Sequence, residues 1–351
     1  MGETRATIKD VAALAEVSVA TVSRVLSNAD YPVSMELRTR VENAAKDLSF
    51  AYTVAPRQAR GHDSREIALI IPNISNPFYM QTIQGISAVC YENGYQLVLC
   101  NTQQDAAREA HCLQELYNSK IYGVIISSIA ESPNMLAGFA ERGMVFIQLD
   151  QRFDDDGGGF NINYDSRHGA RMAVRHLIEN GHKRIAFAST PLTRWTRKEI
   201  YKGYIEQLKK ADIEPDENLV FIRGNEGNGE SENYEIPVGE ALAAQLINSC
   251  CGATAVLCVN DMVAFGMIHG LYNLRVSVPD DISVMGFDDI PFSESFVPPL
   301  TTIHCPAYET GRISAMMLID RLQSSNAAAA TLNMHMQPTL VERRSVRNLY
   351  E

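Results

Sequence analysis

Between Thr7 and Leu26 the chain sets hydroxyls, small apolar groups and one guanidinium at helical spacing: Ser18, Val19, Ala20, Thr21, Ser23 and Arg24. An arginine so placed can bridge O6 and N7 of a guanine, while Val19 and Ala20 can touch only apolar groups such as thymine methyls. The hydroxyls of Ser18, Thr21 and Ser23 suit phosphate oxygens, as does the backbone at a helix N-terminus. This is chemistry for reading a duplex, not for making or breaking bonds. Two short helices meeting at a four-residue turn must position these groups. Thr7 with Asp10 reads as a capping box for the first, and Ser18 as the cap of the second. Val11, Leu14, Val17, Val22, Val25 and Leu26 are expected to face inward, which leaves Val19, Ala20, Ser23 and Arg24 on the outer face. Such a helix fits the major groove.

A small helical bundle decorating an enzyme would share the generic pattern, because helical hairpins are common. The particular words are more specific: Ile8-Lys-Asp-Val-Ala12, Val17-Ser18 and Thr21-Val-Ser-Arg-Val-Leu26, then Val33-Ser34 ahead of a helix from Met35 to Leu48. This segment resembles the headpiece of the lactose-repressor/galactose-repressor family of bacterial transcription regulators. The resemblance implies base contacts from Val19, Ala20 and Arg24. It also implies a hinge residue at Ala59 that enters the minor groove. Family members usually carry leucine there, and alanine where this chain has Pro56. Glu16 stands where the family often has glycine.

The net charge of −11 is unusual for a DNA binder until it is divided along the chain. Residues 1–65 hold nine basic and eight acidic side chains, so the remainder carries −12. The acidic body stays off the phosphates while a near-neutral headpiece docks, and two headpieces in a homodimer are expected. Hydrophobic content of 46% with 21% charged residues is that of a globular protein. No stretch approaches the roughly 18 consecutive apolar residues of a membrane span, so no membrane partner and a cytoplasmic location are expected. Seven scattered cysteines form no Cys-x-x-Cys pair, and the histidines have no ligand spacing. No metal, no cofactor and no catalytic residue is expected. The Gly-rich runs 154–159 and 224–229 lack dinucleotide or phosphate-loop spacing and read as surface loops.

From Glu66 onward, apolar strands alternate with amphipathic helices. Strands are expected at 67–71, 95–100, 123–128 and 145–149, then at 184–188, 219–222, 255–259 and 282–286. Continuous apolar strands between helices mean buried parallel sheets, and two such runs mean two doubly wound lobes. The fold class is therefore α/β, with a helix–turn–helix headpiece. Family resemblance extends over this region through Asn180-Gly-His-Lys-Arg-Ile-Ala-Phe187, Val259-Asn-Asp261, Val278–Asp289 and Pro298–Ile303. It implies a two-lobed core like that of periplasmic binding proteins, with discontinuous lobes. The expected domains are a headpiece at 1–52, a hinge or linker at 53–65 and a core at 66–345. Within the core, one lobe takes about 66–161 and 291–323, the other about 162–290 and 324–345. The crossings are then near 161–163, 289–292 and 322–325.

Ligands of open α/β sheets bind where the strand order reverses, beyond the carboxyl ends of the strands. The loop Asn73–Tyr79 follows the first strand, and resemblance places it at the cleft: Asn76 offers an amide, Phe78 and Tyr79 apolar faces. The same aromatics also suit plain helix-start packing. Ser127, Asp150 and Arg152 sit at or just past strand ends. Asp261 matches the family's acidic ligand contact, and caps a helix equally well. Where many members have arginine, three residues before Gly203, this chain has Ile200, and Arg197 is the nearby substitute. Residues 224–238 are longer than usual, with Tyr234 available as an aromatic wall.

The function expected is an operator-binding regulator, a repressor of carbohydrate-utilisation genes. Its partners would be palindromic double-stranded DNA and a small sugar-like effector. A solute-binding protein without DNA function is the alternative. The hinge gives a prediction, since alanine has little side chain to wedge between base steps. Ala59→Leu should increase the DNA bend angle measured by circular permutation; equal bending in the two proteins would contradict it.

Overall fold

The computed structural model describes residues 8–15, 17–18, 21–22, 25, 35–47, 65–129, 134–150, 160–224, 235–324 and 332–350. The chain divides into two compact units, Met1–Gly61 and His62–Glu351.

In the first unit, helices α1 (Ile8–Leu14) and α2 (Met35–Asp47) surround a small core. Val11, Ala12, Ala15, Val22, Val25, Val41, Ala44 and Ala45 are buried, with Val17 partly so. Leu14, expected inward, is instead 53% exposed, and Ala15 one position on takes the buried place. Ser18 makes the capping bond its sequence implies: its Oγ accepts from the Thr21 N–H at 3.1 Å, three residues on. The Ser18 and Thr21 hydroxyls also bond each other at 2.8 Å. Thr7, Glu16, Val19, Ala20, Ser23, Arg24, Leu26, Pro56 and Ala59 lie outside the described residues.

The second unit opens with β1 (Glu66–Ile71), α3 (Pro77–Glu92), β2 (Gln96–Asn101), α4 (Ala106–Asn118) and β3 (Gly123–Ile126). Then come α5 (Asn134–Glu141), β4 (Val145–Leu149) and β5 (Phe160–Tyr164). Strand β1 shows why its sequence is an unbroken apolar run. Ile67, Leu69 and Ile71 enter one core and Ala68 and Ile70 the other, on opposite sheet faces.

The chain continues through α6 (Ser166–Glu179), β6 (Ile185–Ser189), α7 (Trp195–Lys210), β7 (Val220–Ile222) and α8 (Glu235–Asn248). It then forms β8 (Ala255–Cys258), α9 (Asp261–Asn273), β9 (Ser283–Met285), β10 (Thr302–His304) and α10 (Ala307–Gln323). Strands β11 (Leu332–Met336) and β12 (Thr339–Val341) complete it.

The strands form two parallel sheets, ordered β11-β5-β4-β3-β1-β2 and β7-β6-β8-β9. An antiparallel pair, β10 with β12, extends the second sheet through the bridges Met285–Thr301 and Asp288–His304. Helix α10 returns to the first lobe and packs on α3, where Gly85 and Gly311 let the backbones approach.

These pairings correct the expected lobe boundaries. Strand β5 runs through Tyr164 in the first sheet, two residues or so beyond the expected first crossing. Strand β10 belongs with the second sheet, so the second crossing falls at Cys305–Pro306 and not at 289–292. Strand β11 pairs with β5 over five residues in the first sheet, so the third crossing is Gln337–Pro338, not 322–325. The reason is one of face polarity. Leu-Asn-Met-His-Met alternates, because Met334 and Met336 reach the core while Asn333 bonds to Asn161 at 2.9 Å on the other face.

Both sheets reverse their strand order beside their first strand, at β1/β3 and at β6/β8. The loops that leave β1, β3, β6 and β8 therefore flank two crevices, one per lobe.

Candidate functional site

The loop after β1 is shaped by its own amides. Asn73 Oδ1 accepts from the Ser75 N–H at 2.9 Å, and Asn76 Oδ1 accepts from the Phe78 N–H at 3.0 Å. Asn76 is thereby the N-cap of α3, with Pro77 in the first helical position. Capping fixes the amide's orientation and turns its Nδ2 outward, where it donates to Glu235 Oε2 at 3.1 Å in the second lobe. Phe78 meets the Tyr79 and Tyr164 rings edge to face, at centroid distances of 5.4 and 5.8 Å. The Tyr79 hydroxyl shares a 3.1 Å hydrogen bond with Ser127 Oγ, which lies 3.3 Å from Asp150 Oδ2.

The facing wall comes from the second lobe. Arg194, the residue at the N-cap position of α7, donates to Ser127 Oγ at 2.9 Å and to the Tyr79 hydroxyl at 3.3 Å. Arg197 donates to Glu235 Oε1 at 3.3 Å, and Asn260 Nδ2 donates to the same oxygen at 2.9 Å. Asn260 also caps α9 through Val263 N–H, so its amide is as rigidly held as that of Asn76. Ile200, Val259, Phe287 and Cys305 add apolar surface.

Asp288 completes the cleft, and among the described residues no side-chain donor reaches its carboxylate. Burial pushes its pKa well above the ordinary carboxylate range, reinforced by Asp261, Glu235 and Asp150 and opposed by Arg197. Burial also raises Asp150, against the opposing pull of Arg194 and Ser127. Both carboxyls follow strand ends with backbone in the positive-φ region, at φ 59° for Asp150 and 120° for Asp288. Non-glycine residues hold such conformations where the surroundings fix them. The cleft thus offers a guanidinium, carboxyl groups, oriented amides and aromatic edges, which match a compact polar molecule with hydroxyl or amino donors. The Cys305 thiol is pushed far above its ordinary value by burial and by the neighbouring acids, so it is not a thiolate nucleophile.

Asn76, Phe78, Tyr79, Asp150 and Arg197, all expected at the cleft, do line it. Ser127 stands just behind, bonded to three of the groups that matter. Arg152 and Tyr234 lie outside the described residues. Asp261 is not brought to the cleft. It is fully buried, with Oδ2 taken by the Ile290 N–H at 3.0 Å and Ser293 Oγ at 2.6 Å, and Oδ1 by Thr302 Oγ1 at 2.5 Å. It ties the loop after β9 to the start of α9, and burial pushes its pKa up to about 6 against those three bonds.

Arg194, Tyr164, Glu235, Asn260 and Asp288 were not singled out by the sequence. Arg194 carried a usable signal, since it follows β6 at a switch point. Asp288 carried another, in Gly286-Phe-Asp-Asp289 just beyond β9.

The fold and site together define a helix–turn–helix regulator joined to a periplasmic-binding-protein-like sensor. Residues 7–52 match the model of the bacterial regulatory proteins of the lacI family, and residues 174–346 that of the periplasmic binding protein-like domain. The HTH-type transcriptional repressor PurR of Mannheimia succiniciproducens is 32% identical, over 98% of this chain and 99% of that protein. Among solved structures, the transcriptional regulator CelR–cellobiose complex superposes with a TM-score of 0.71 at 27% identity, covering 97% of this chain and 100% of that one. The lac repressor dimer bound to operator and the anti-inducer ONPF gives 0.69 at 25% identity, covering 98% and 100%. The chain belongs to the lacI family and is a DNA-binding transcriptional repressor with a small-molecule effector. No helix of the described residues is long and apolar enough to cross a membrane.

The position of Asp261 gives a prediction for stability. Asp261→Ala strands a buried N–H and two hydroxyls, so it should cost about 2–4 kcal/mol in urea unfolding. A loss below about 1 kcal/mol would contradict the anchoring role.

Proposed function

We propose that this repressor binds a palindromic operator as a homodimer and senses a sugar or sugar derivative between its two lobes, controlling carbohydrate-utilisation genes. The observation that carries the ligand class is the Asp288 carboxyl. It faces the cleft with no described side-chain donor, in a space also lined by Arg194, Arg197 and a cluster of aromatic edges. Paired hydroxyls of a sugar supply donors to Asp288 and acceptors to Arg194, while its C–H faces rest on Phe78 and Tyr164. The CelR structure, solved with cellobiose, supports the same class. Ile200 puts an apolar side chain where many relatives have arginine, which favours an uncharged portion of the ligand at that wall. At the DNA, Arg24 reads guanine, Val19 and Ala20 contact thymine methyls, and Ser18, Thr21 and Ser23 hold phosphates. Ala59 occupies the hinge within the linker 53–65. Closing or opening of the lobes changes the spacing of the two hinges, and so shifts a two-state equilibrium.

Thermal shift against sugars, sugar phosphates and nucleosides, followed by mobility shift on palindromic DNA, tests this reading. A sugar at a hundred times its Kd should stabilise the protein by about 2.7 kcal/mol. The same sugar should change operator affinity, and operator binding should weaken steeply with salt. Stabilisation by a nucleoside alone would contradict the ligand class. Failure to shift any palindrome would contradict the DNA reading.

A further inference from the structure

The two walls of the cleft touch each other directly. On one side Asn76 of the first lobe donates to Glu235 of the second at 3.1 Å, and Glu235 is only 5% exposed. Its other oxygen is held by Arg197 and Asn260, both second-lobe groups, at 3.3 and 2.9 Å. On the other side Arg194 of the second lobe reaches two first-lobe hydroxyls, Ser127 at 2.9 Å and Tyr79 at 3.3 Å. Asp150 adds a carboxylate behind Ser127, at 3.3 Å.

We propose that these contacts are a built-in latch, by which the chain's own side chains close the two lobes on each other without needing a ligand to bridge them. The reasoning is electrostatic and geometric. A buried carboxylate and a partly buried guanidinium each lose water when the lobes meet, and hydrogen-bond partners supplied by the opposite lobe offset that loss. Glu235 gains the Asn76 amide, and Arg194 gains two hydroxyls. Hydrogen bonds to charged groups are also the stronger kind. Two of the three first-lobe partners are preset: the Asn76 amide by its capping role, the Tyr79 ring by packing against Phe78. Little ordering cost is left to close the latch. Open and closed arrangements are then two states of similar energy, and an effector shifts them only by its differential affinity. This inference concerns the regulation of the cleft and rests on its being the effector site.

The sole tryptophan, Trp195, lies between Arg194 and Thr196 at the start of α7 and reports on this wall in the unmodified chain. The variants are placed in the opposite lobe. Asn76→Ser keeps a capping oxygen for α3 but removes the amide donor to Glu235. Adding Tyr79→Phe and Ser127→Ala removes the two first-lobe hydroxyls that Arg194 reaches. Each lost bond should favour the open state about five-fold, and the triple variant about a hundredfold.

In the full-length protein without added ligand, acrylamide quenching of Trp195 and the radius of gyration from small-angle scattering should both rise in the triple variant. Asn76→Ser should move both in the same direction by less. Should the triple variant fail to fold, Asn76→Ser alone decides by the same two readings. Quenching and radius equal to those of the unmodified protein would overturn the latch. Operator binding by mobility shift is read separately, so loss of the DNA reading and loss of the latch are told apart.

Discussion

Three strands of chain passing side by side between two rigid sheets are the constraint on which the rest of this molecule depends. They cross at Asp165, Cys305–Pro306 and Gln337–Pro338, and they are stitched together. The Asp165 N–H donates to the Met336 carbonyl at 3.1 Å, and the Cys305 N–H to the Asp288 carbonyl at 3.2 Å. His304 holds Asp289 at 3.0 Å, and Arg343 holds the other Asp289 oxygen at 2.7 Å. The Asp289 hydrogen bond lifts the His304 pKa. Asp289 itself is drawn up by burial but ends below its ordinary value through His304 and Arg343. Lobes joined this way move as bodies about one short waist, because close-packed cores do not deform continuously.

The cleft exploits that geometry. Its carboxyl groups come from strand ends and from the first turn of α8, and its cations from the first turn of α7, so each wall is fixed by secondary structure rather than by loops alone. Charges of both signs face each other across a space that closure dries out. A low-dielectric gap strengthens every well-made pair and penalises every incomplete one. On the proposed reading, a ligand that satisfies Asp288 changes the balance between lobes, whereas one that merely fills space does not.

How much of this was legible in the sequence follows from burial. Strands such as Ile67–Ile71 and Ala255–Cys258 are buried on both faces and read as unbroken apolar runs. Strand β5 is also buried, but Asn161 and Asn163 fill one of its faces, while β11 leaves Asn333 and His335 exposed on one of its own, and the polar alternation of both reads as loop. That single property displaced the third crossing. Asn76, Phe78 and Tyr79 were legible because they follow the first strand at a switch point. Asp261 and Asp288 could not be ranked from sequence: both are acids just past a strand, and only packing shows that one is consumed by Ile290, Ser293 and Thr302 while the other faces the cleft. Glu235 was hidden because its partners lie 25 to 159 residues away in the chain. Leu14 shows the same limit in the first unit, where helical periodicity left two neighbouring positions equally suited to the core.

Coupling between the cleft and the operator is the central claim, and linkage makes it measurable from either side. Whatever factor an effector imposes on operator affinity, the operator must impose on effector affinity. Calorimetric titration of the effector into protein alone and into protein saturated with operator tests this directly. The account predicts that the two effector Kd values differ by the same factor that the effector produces in operator Kd. Identical effector Kd values with and without operator would contradict it.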